Sequence, residues 1–189
     1  MKNDSGLYYA ISIVILVSLQ YLLMAATFND IANSLVGDNP FMSIFGTLNN
    51  MILFLFPILT FIFLAISTNF MLDFFDVRYV SSKEVMSLIG LSMVPLLFGM
   101  IFYNVSINFF MQENPQEIED VANLHFLFNL QIKDFGLINK LCWLLMYYLI
   151  FAFLYFKHKV SLHQSLLSAL SPTLLFLLFS YMIKSFATT

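Results

Sequence analysis

The side chains that could carry out chemistry are few, and their spacing decides what that chemistry could be. Asp73 and Asp76 are three residues apart, so their carboxylates could share a metal ion or a proton. They equally fit a solvated turn at a membrane interface, with Arg78 as the counter-charge. Intramembrane metalloproteases need paired histidines on one helix face, but His158 and His163 are five residues apart and straddle a predicted helix start. These spacings predict no catalytic, metal-binding or cofactor-binding constellation, and therefore no enzyme.

The composition restricts the class of protein. The chain has 189 residues, of which 60% are hydrophobic and 10% charged, and its mean hydropathy is +0.87. Soluble domains are about 45–50% apolar and about 25% charged, so this chain must have lipid as its solvent. The net charge of −3 gives no basic patch, and nucleic acid is not an expected partner. The single cysteine, Cys142, excludes an intramolecular disulfide and fits a small buried hydrophobe.

Apolar stretches that can cross about 30 Å of hydrocarbon as helices follow one another along the chain. They predict an all-α integral membrane protein, a bundle of five transmembrane helices forming a single membrane domain, residues 1–189. No span interior holds Asp, Glu, Lys, Arg or His, which disfavours ion-coupled transport and intramembrane hydrolysis. A lone amide, Gln20, is expected to bond to another helix. The predicted spans are about residues 7–28, 48–70, 82–103, 137–156 and 162–183.

Two polar segments are predicted to connect these spans. Residues 29–47 contain Asp30, Asp38, Gly37 and Pro40, and no Lys or Arg. Residues 104–139 are the longest polar segment, and a short extramembrane helix is expected to begin there at Pro115, behind an Asn114 N-cap. Apolar and polar residues alternate through residues 124–133, which leaves helix and strand both open. This part is too short and too polar to span, so we expect it to lie at the interface.

Helix start signals flank the central and the last spans. Ser81 and Glu84 have the spacing of a capping box, in which each side chain satisfies the other residue's backbone N–H. Ser161 and Gln164 repeat this pattern before the final span. In both places a proline follows the serine at a similar distance, so the two hairpins show a weak internal sequence similarity. The sequence therefore predicts helices that begin directly after Ser81 and Ser161.

Small residues and prolines mark the faces on which these helices should pack. Ser92, Gly99 and Ser106 recur at seven-residue spacing, so they share one face, and small residues let helices approach closely in lipid. Pro57 and Pro95 lie inside spans, where each frees a carbonyl group that hydroxyls or neighbouring helices must satisfy. They fit simple kinks, and they also fit hinges of a cavity. The predicted packing residues are Ser92, Pro95, Gly99, Ser106, Ser165, Ser168 and Pro172.

The distribution of charge predicts how the chain is threaded. Basic residues concentrate on the cytoplasmic side of membrane proteins. With five spans, one side carries five of the eight basic residues, and we assign it to the cytoplasm of a bacterial inner (plasma) membrane. The N-terminus and the loop with Asp73, Asp76 and Arg78 are then cytoplasmic, while the C-terminus and the acidic segment 104–139 lie outside. The cytoplasmic basic residues are Lys2, Arg78, Lys83, Lys157 and Lys159.

Several of these features together resemble the Yip1-type membrane family. They are the five-span pattern, the serine-started helix after a compact loop, LSMVP at residues 91–95 and KHKVSLHQSLLSALSP at residues 157–172. The resemblance covers roughly residues 48–183 and implies a five-helix fold with a cytoplasmic N-terminus and an exposed C-terminus. Eukaryotic members act with small GTPases in vesicle traffic through a cytoplasmic N-terminal region longer than residues 1–6 here. Bacterial relatives look like accessory subunits beside transporters or toxin-resistance systems.

Three functions remain open from the sequence. The first is a non-catalytic membrane scaffold or accessory subunit that packs against a membrane-protein partner or a second copy of itself. The second is a small transporter or permeation protein that uses proline kinks around polar hydroxyls. The third is an immunity or resistance protein whose acidic outer segment meets a peptide or toxin. All three have the lipid bilayer as their surroundings.

Overall fold

The computed structural model describes residues 4–36, 40–111, 125 and 130–187, and within them the protein is all-α. No strand occurs in that part of the chain, where His125 and Gln131 form an isolated bridge. A π-helical turn, Phe153–Lys157, extends the fifth helix. The helices are α1 (Asp4–Val36), α2 (Pro40–Phe74), α3 (Ser82–Ser92), α4 (Val94–Phe110), α5 (Ile132–Ala152) and α6 (Leu162–Ala187).

These helices have the length and composition of a membrane bundle. Four helical stretches of the described chain are long and apolar enough to cross a bilayer. They are Ser5–Ser34, Ser43–Phe74, Ser82–Phe110 and Lys133–Lys157, and Leu162–Leu178 is a shorter apolar helix. The prediction of an all-α protein with membrane-compatible helices is confirmed.

The predicted connector at residues 29–47 is wrong, because almost all of it is helical. α1 continues to Val36 and α2 begins at Pro40. The polar residues there are accommodated by pairing across the two helices: the Asn29 amide donates to the Gly46 carbonyl at 3.0 Å and to the Asn50 side chain at 2.7 Å. Polar composition signalled a loop, but these hydrogen bonds let both helices continue past the predicted spans.

The ends of the predicted segment 104–139 are also helical. α4 runs on to Phe110, and α5 begins at Ile132 rather than near Leu137. At the start of α5, the Asp134 carboxylate accepts from the Gln131 N–H at 2.8 Å, so an acidic residue read as loop is a helix cap. The extramembrane helix predicted from Pro115 lies outside the described residues.

The capping box predicted at Ser81 and Glu84 is present, whereas Ser161 and Gln164 are joined by a bond between their side chains alone. The Ser81 N–H donates to Glu84 Oε2 at 2.8 Å, and the Glu84 N–H donates to Ser81 Oγ at 3.3 Å. The Ser161 hydroxyl donates to Gln164 Oε1 at 2.8 Å. These contacts satisfy or cover donors that no earlier helical turn can serve, so α3 and α6 begin where the serines stand.

The turns that lead into the two capping boxes are alike. Asp76 (φ 59°) and Lys159 (φ 55°) adopt the left-handed conformation that glycine usually supplies after a helix end. A buried valine follows each of them, Val77 at 4% exposure and Val160 at 1%. The left-handed conformation costs a non-glycine residue about 1 kcal/mol, and burial of the next side chain offsets this.

The third apolar stretch consists of two helices. α3 ends at Ser92, Met93 forms a turn, and α4 begins at Val94 with Pro95 in its first turn. Proline is favoured in a first helical turn because its missing N–H would be unpaired there in any case. The kink predicted at Pro95 is therefore a helix break just before the proline.

Backbone contacts divide the chain into two compact units, and three of the six helices, α1, α2 and α5, contribute to both. Unit 1 comprises Met1–Ile11, Leu59–Ser92 and Met146–Thr189, and unit 2 comprises Ser12–Ile58 and Met93–Leu145. In unit 2, a core cluster forms around Ile107 and Phe135, with Tyr103 and Phe28 packed against it. The two units hold different candidate sites.

Candidate functional site

The acidic turn after α2 has the geometry of a solvated surface. Arg78 Nε lies 2.7 Å from Asp76 Oδ1, and both side chains are at least three-quarters exposed. The Asp73 side chain is exposed as well, while its carbonyl accepts from the Asp76 N–H at 3.0 Å. Described residues include no group of three or more His, Cys, Asp or Glu side chains placed to hold a metal ion. This arrangement fits the solvated-turn interpretation, in which the ion pair contributes little stability.

Buried hydroxyls surround Pro172 in unit 1. Thr68, Ser165, Ser168 and Ser171 are at most 1% exposed. Pro172 has no N–H, which leaves the Ser168 carbonyl without its helical donor. The Ser171 hydroxyl reaches that oxygen at 2.8 Å and the Thr68 hydroxyl at 3.5 Å. The structure therefore brings the predicted residues of α6 together with a threonine of α2 that the sequence had not singled out.

The predicted seam of Ser92, Gly99 and Ser106 is interrupted and faces inward. Ser92 belongs to unit 1 and the other two to unit 2, because the helix breaks at Met93. Both serines are fully buried, and each hydroxyl bonds within its own helix. A Cβ at Gly99 would lie 2.7 Å from the Cys142 sulfur of α5. These residues pack helices of this chain against one another.

An amide pair connects α1 and α4. Asn104 Nδ2 donates to the Gln20 carbonyl at 2.9 Å and to Gln20 Oε1 at 2.7 Å, and Asn104 is only 3% exposed. The expectation that Gln20 bonds to another helix is confirmed. Asn104 was assigned to a polar loop instead. The signal that could have identified it is that apolar residues flank it on both sides, as they flank Gln20.

A cavity of about 270 Å³ lies between α1, α4 and α5 within unit 2. Its lining is apolar and aromatic, with one amide, and we call it the Tyr103 cavity. The lining consists of Tyr21, Met24, Gly99, Met100, Tyr103, Phe135, Gly136, Ile138 and Asn139. No sequence signal marks this cavity, since it depends on how three helices pack.

Comparisons with known proteins were made at three levels. Family models, curated proteins and solved structures gave no match. The residues and their geometry are therefore the basis for any functional assignment.

A small cluster of charged groups lies at the start of α3 and the turn before α6. Glu84, Lys157 and His158 interact electrostatically there. Partial burial lowers the pKa of His158 from its ordinary value; the Lys157 ammonium adds to this shift and the Glu84 carboxylate opposes it. The imidazole is consequently biased towards its neutral form.

Proposed function

We propose that this chain is a non-catalytic integral membrane protein, similar to the Yip1 type, that serves as a scaffold or accessory subunit for a membrane-protein partner or a second copy of itself. The supporting observation is the chemistry of its interior. Buried polar side chains among the described residues are seven serines, one threonine and one asparagine, and no Asp, Glu, Lys, Arg or His is buried there. Ion-coupled transporters and intramembrane hydrolases usually place an ionisable group at depth.

The hydrogen bonds of these buried groups support a structural role. Ser67, Ser92 and Ser106 bond to carbonyls of their own helices, and Asn104 bonds to Gln20. Among the buried polar atoms of the described chain, Ser18 Oγ, Ser168 Oγ and Asn104 Oδ1 have no partner, and the others are engaged within the fold. Because the small residues are enclosed within the chain, a partner helix would meet the outer apolar faces, such as that of α2 between residues 41 and 70, where most large side chains are exposed.

The proposed arrangement is one membrane domain of five spans in a bacterial inner membrane, with the N-terminus inside and the C-terminus outside. Arg78 follows α2, while Lys157 and Lys159 lie between α5 and α6. All three belong to unit 1, and this grouping of basic residues fits a cytoplasmic face. A reporter fused after Thr189 that is active only in the periplasm tests this. Cytoplasmic reporter activity at that position would reject the threading.

Co-purification tests the scaffold role. The tagged full chain is extracted from its native membrane in a mild detergent, and proteins in the eluate are quantified against an unrelated multi-span protein carrying the same tag. The proposal predicts a second membrane protein, or a second copy, in stoichiometric amount. A monomer whose melting temperature rises with a specific water-soluble solute would favour the permeation function instead. A stoichiometric peptide or toxin bound from outside would favour the immunity function.

A further inference from the structure

The Tyr103 cavity has the size and lining of a small-molecule site. We infer that it binds a neutral, lipid-soluble molecule with one aromatic ring, short alkyl substituents and one hydrogen-bonding group. This inference goes beyond the scaffold role, and it is independent of whether a protein partner exists.

The volume limits the occupant. An apolar cavity of about 150 Å³ accommodates benzene, which has six carbon atoms. In proportion, a cavity of about 270 Å³ takes about eleven non-hydrogen atoms. A molecule of that size is one ring with a few alkyl carbons, and it is smaller than the acyl chain of a membrane lipid.

The lining determines the chemistry of the occupant. Tyr103 and Phe135 form an edge-to-face pair with ring centroids 4.4 Å apart, which gives the cavity a fixed aromatic wall. Met24 and Met100 add polarisable side chains that adapt to the shape of a ring. The lining contains no Asp, Glu, Lys, Arg or His among described residues, so a charged ligand would enter without a counter-charge. Asn139 supplies an amide that can hydrogen-bond a hydroxyl group.

Gly99 and Gly136, the two glycines of the lining, differ in the space available for a side chain. A Cβ at Gly136 would meet no atom within 4 Å, whereas one at Gly99 would press on Cys142. Volume can therefore be added at Gly136 without displacing the helices. Gly136 and Asn139 are also exposed, so the cavity can be reached from outside the bundle at this edge of α5.

Thymol, a neutral phenol of the required size, is a suitable probe. Native membranes containing the full chain are labelled with a diazirine-bearing alkylphenol, with and without excess thymol, and the adducts are mapped by peptide mass spectrometry. We expect thymol-sensitive adducts on the lining of α1, α4 and α5. Labelling that thymol does not suppress, or that spreads evenly over exposed residues, would overturn the inference.

Variants in the lining test the site itself. Gly136→Leu should weaken thymol binding at least about tenfold, because the added side chain narrows the exposed edge at which the cavity is reached. Leu137→Ala, one residue along and 60% exposed, is the matched control and should bind as the wild type does. Met100→Ala enlarges the cavity and should shift preference towards bulkier dialkylphenols, which keeps the test valid if Gly136→Leu fails to fold. Unchanged binding in both lining variants, or a co-purified phospholipid that only Gly136→Leu loses, would reject the small-molecule assignment.

Discussion

The Ser171 hydroxyl donates a hydrogen bond of 2.8 Å to the carbonyl of Ser168. That carbonyl is the one that a residue other than proline at position 172 would bond through its N–H, four residues later in the helix. The serine next to the proline thus replaces the donor that the proline lacks. Proline can remain inside an apolar helix here because the replacement is built into the same turn.

Ser171→Ala should lower the free energy of unfolding by about 1 kcal/mol, since a buried carbonyl loses its main donor. In a Pro172→Ala background, the N–H of residue 172 can donate to the Ser168 carbonyl. Ser171→Ala should then lower the free energy of unfolding by clearly less. Reversible unfolding in mixed micelles measures both values, with exposed Ser180→Ala as the control. An equal cost in the two backgrounds would show that the hydroxyl does not substitute for the missing N–H.

Asn104 and Gln20 should be energetically coupled. Gln20→Leu removes one of the two acceptors of the Asn104 amide, and Asn104→Leu leaves the half-buried Gln20 side chain without this partner. The double substitution removes both side-chain amides together. We expect a coupling of about 0.6–1.7 kcal/mol, the range for hydrogen bonds between membrane helices. A double-mutant cycle on unfolding free energies measures it, and strictly additive costs would contradict the pair.

Gly99→Ala should destabilise the chain by about 1–3 kcal/mol, because its Cβ would lie 2.7 Å from the Cys142 sulfur. Cys142→Ala should rescue it, since the next contact, with the Cys142 Cβ, is 3.7 Å away. Gly136→Ala is the matched control, with nothing within 4 Å of its Cβ. Thermal unfolding in detergent compares the four proteins, and failure of the rescue would place the strain elsewhere.

The stability of the protein should fall in mild acid partly through His158. Burial holds the pKa of this imidazole below its ordinary value, so the unfolded chain takes up the proton first as the pH falls. The stability that depends on neutral His158 is fully present above about pH 6.5 and is lost as the pH falls below that value. His158→Gln should flatten the stability curve between about pH 7 and pH 5. Glu84→Gln, which keeps a capping residue, should steepen it by removing the opposing carboxylate. Melting temperatures measured across this range check both variants, and parallel curves would contradict the role of His158.

The correct predictions concern contacts between residues that are close together in the chain. Ser81 and Glu84 form their capping box within a single turn, so the spacing of two residues was enough to predict it. Ser161 and Gln164 have the same spacing, but only their side chains bond to each other. At Pro95 the sequence predicted a kink inside one continuous helix, whereas the chain is divided there into α3 and α4. The sequence also predicted that Gln20 bonds to another helix, because an amide in lipid needs a hydrogen-bond partner.

What the sequence could not give depends on contacts between distant segments. The polar residues of 29–47 indicated a loop, yet Asn29 pairs with Asn50 across two continuing helices. Asn104 looked like the edge of a loop until its position beside Gln20 made it a buried partner. The Tyr103 cavity requires side chains from three helices, and no spacing within one helix predicts an unfilled volume between them.

The uncharged interior also determines how the protein responds to an energised membrane. Moving one elementary charge through a potential of 100 mV involves about 2.3 kcal/mol, and that work drives voltage sensors. The buried polar groups of the described chain are hydroxyls and an amide, so the field has no formal charge among them on which to do such work. Depolarising the cell should therefore leave the packing of these buried groups as it is.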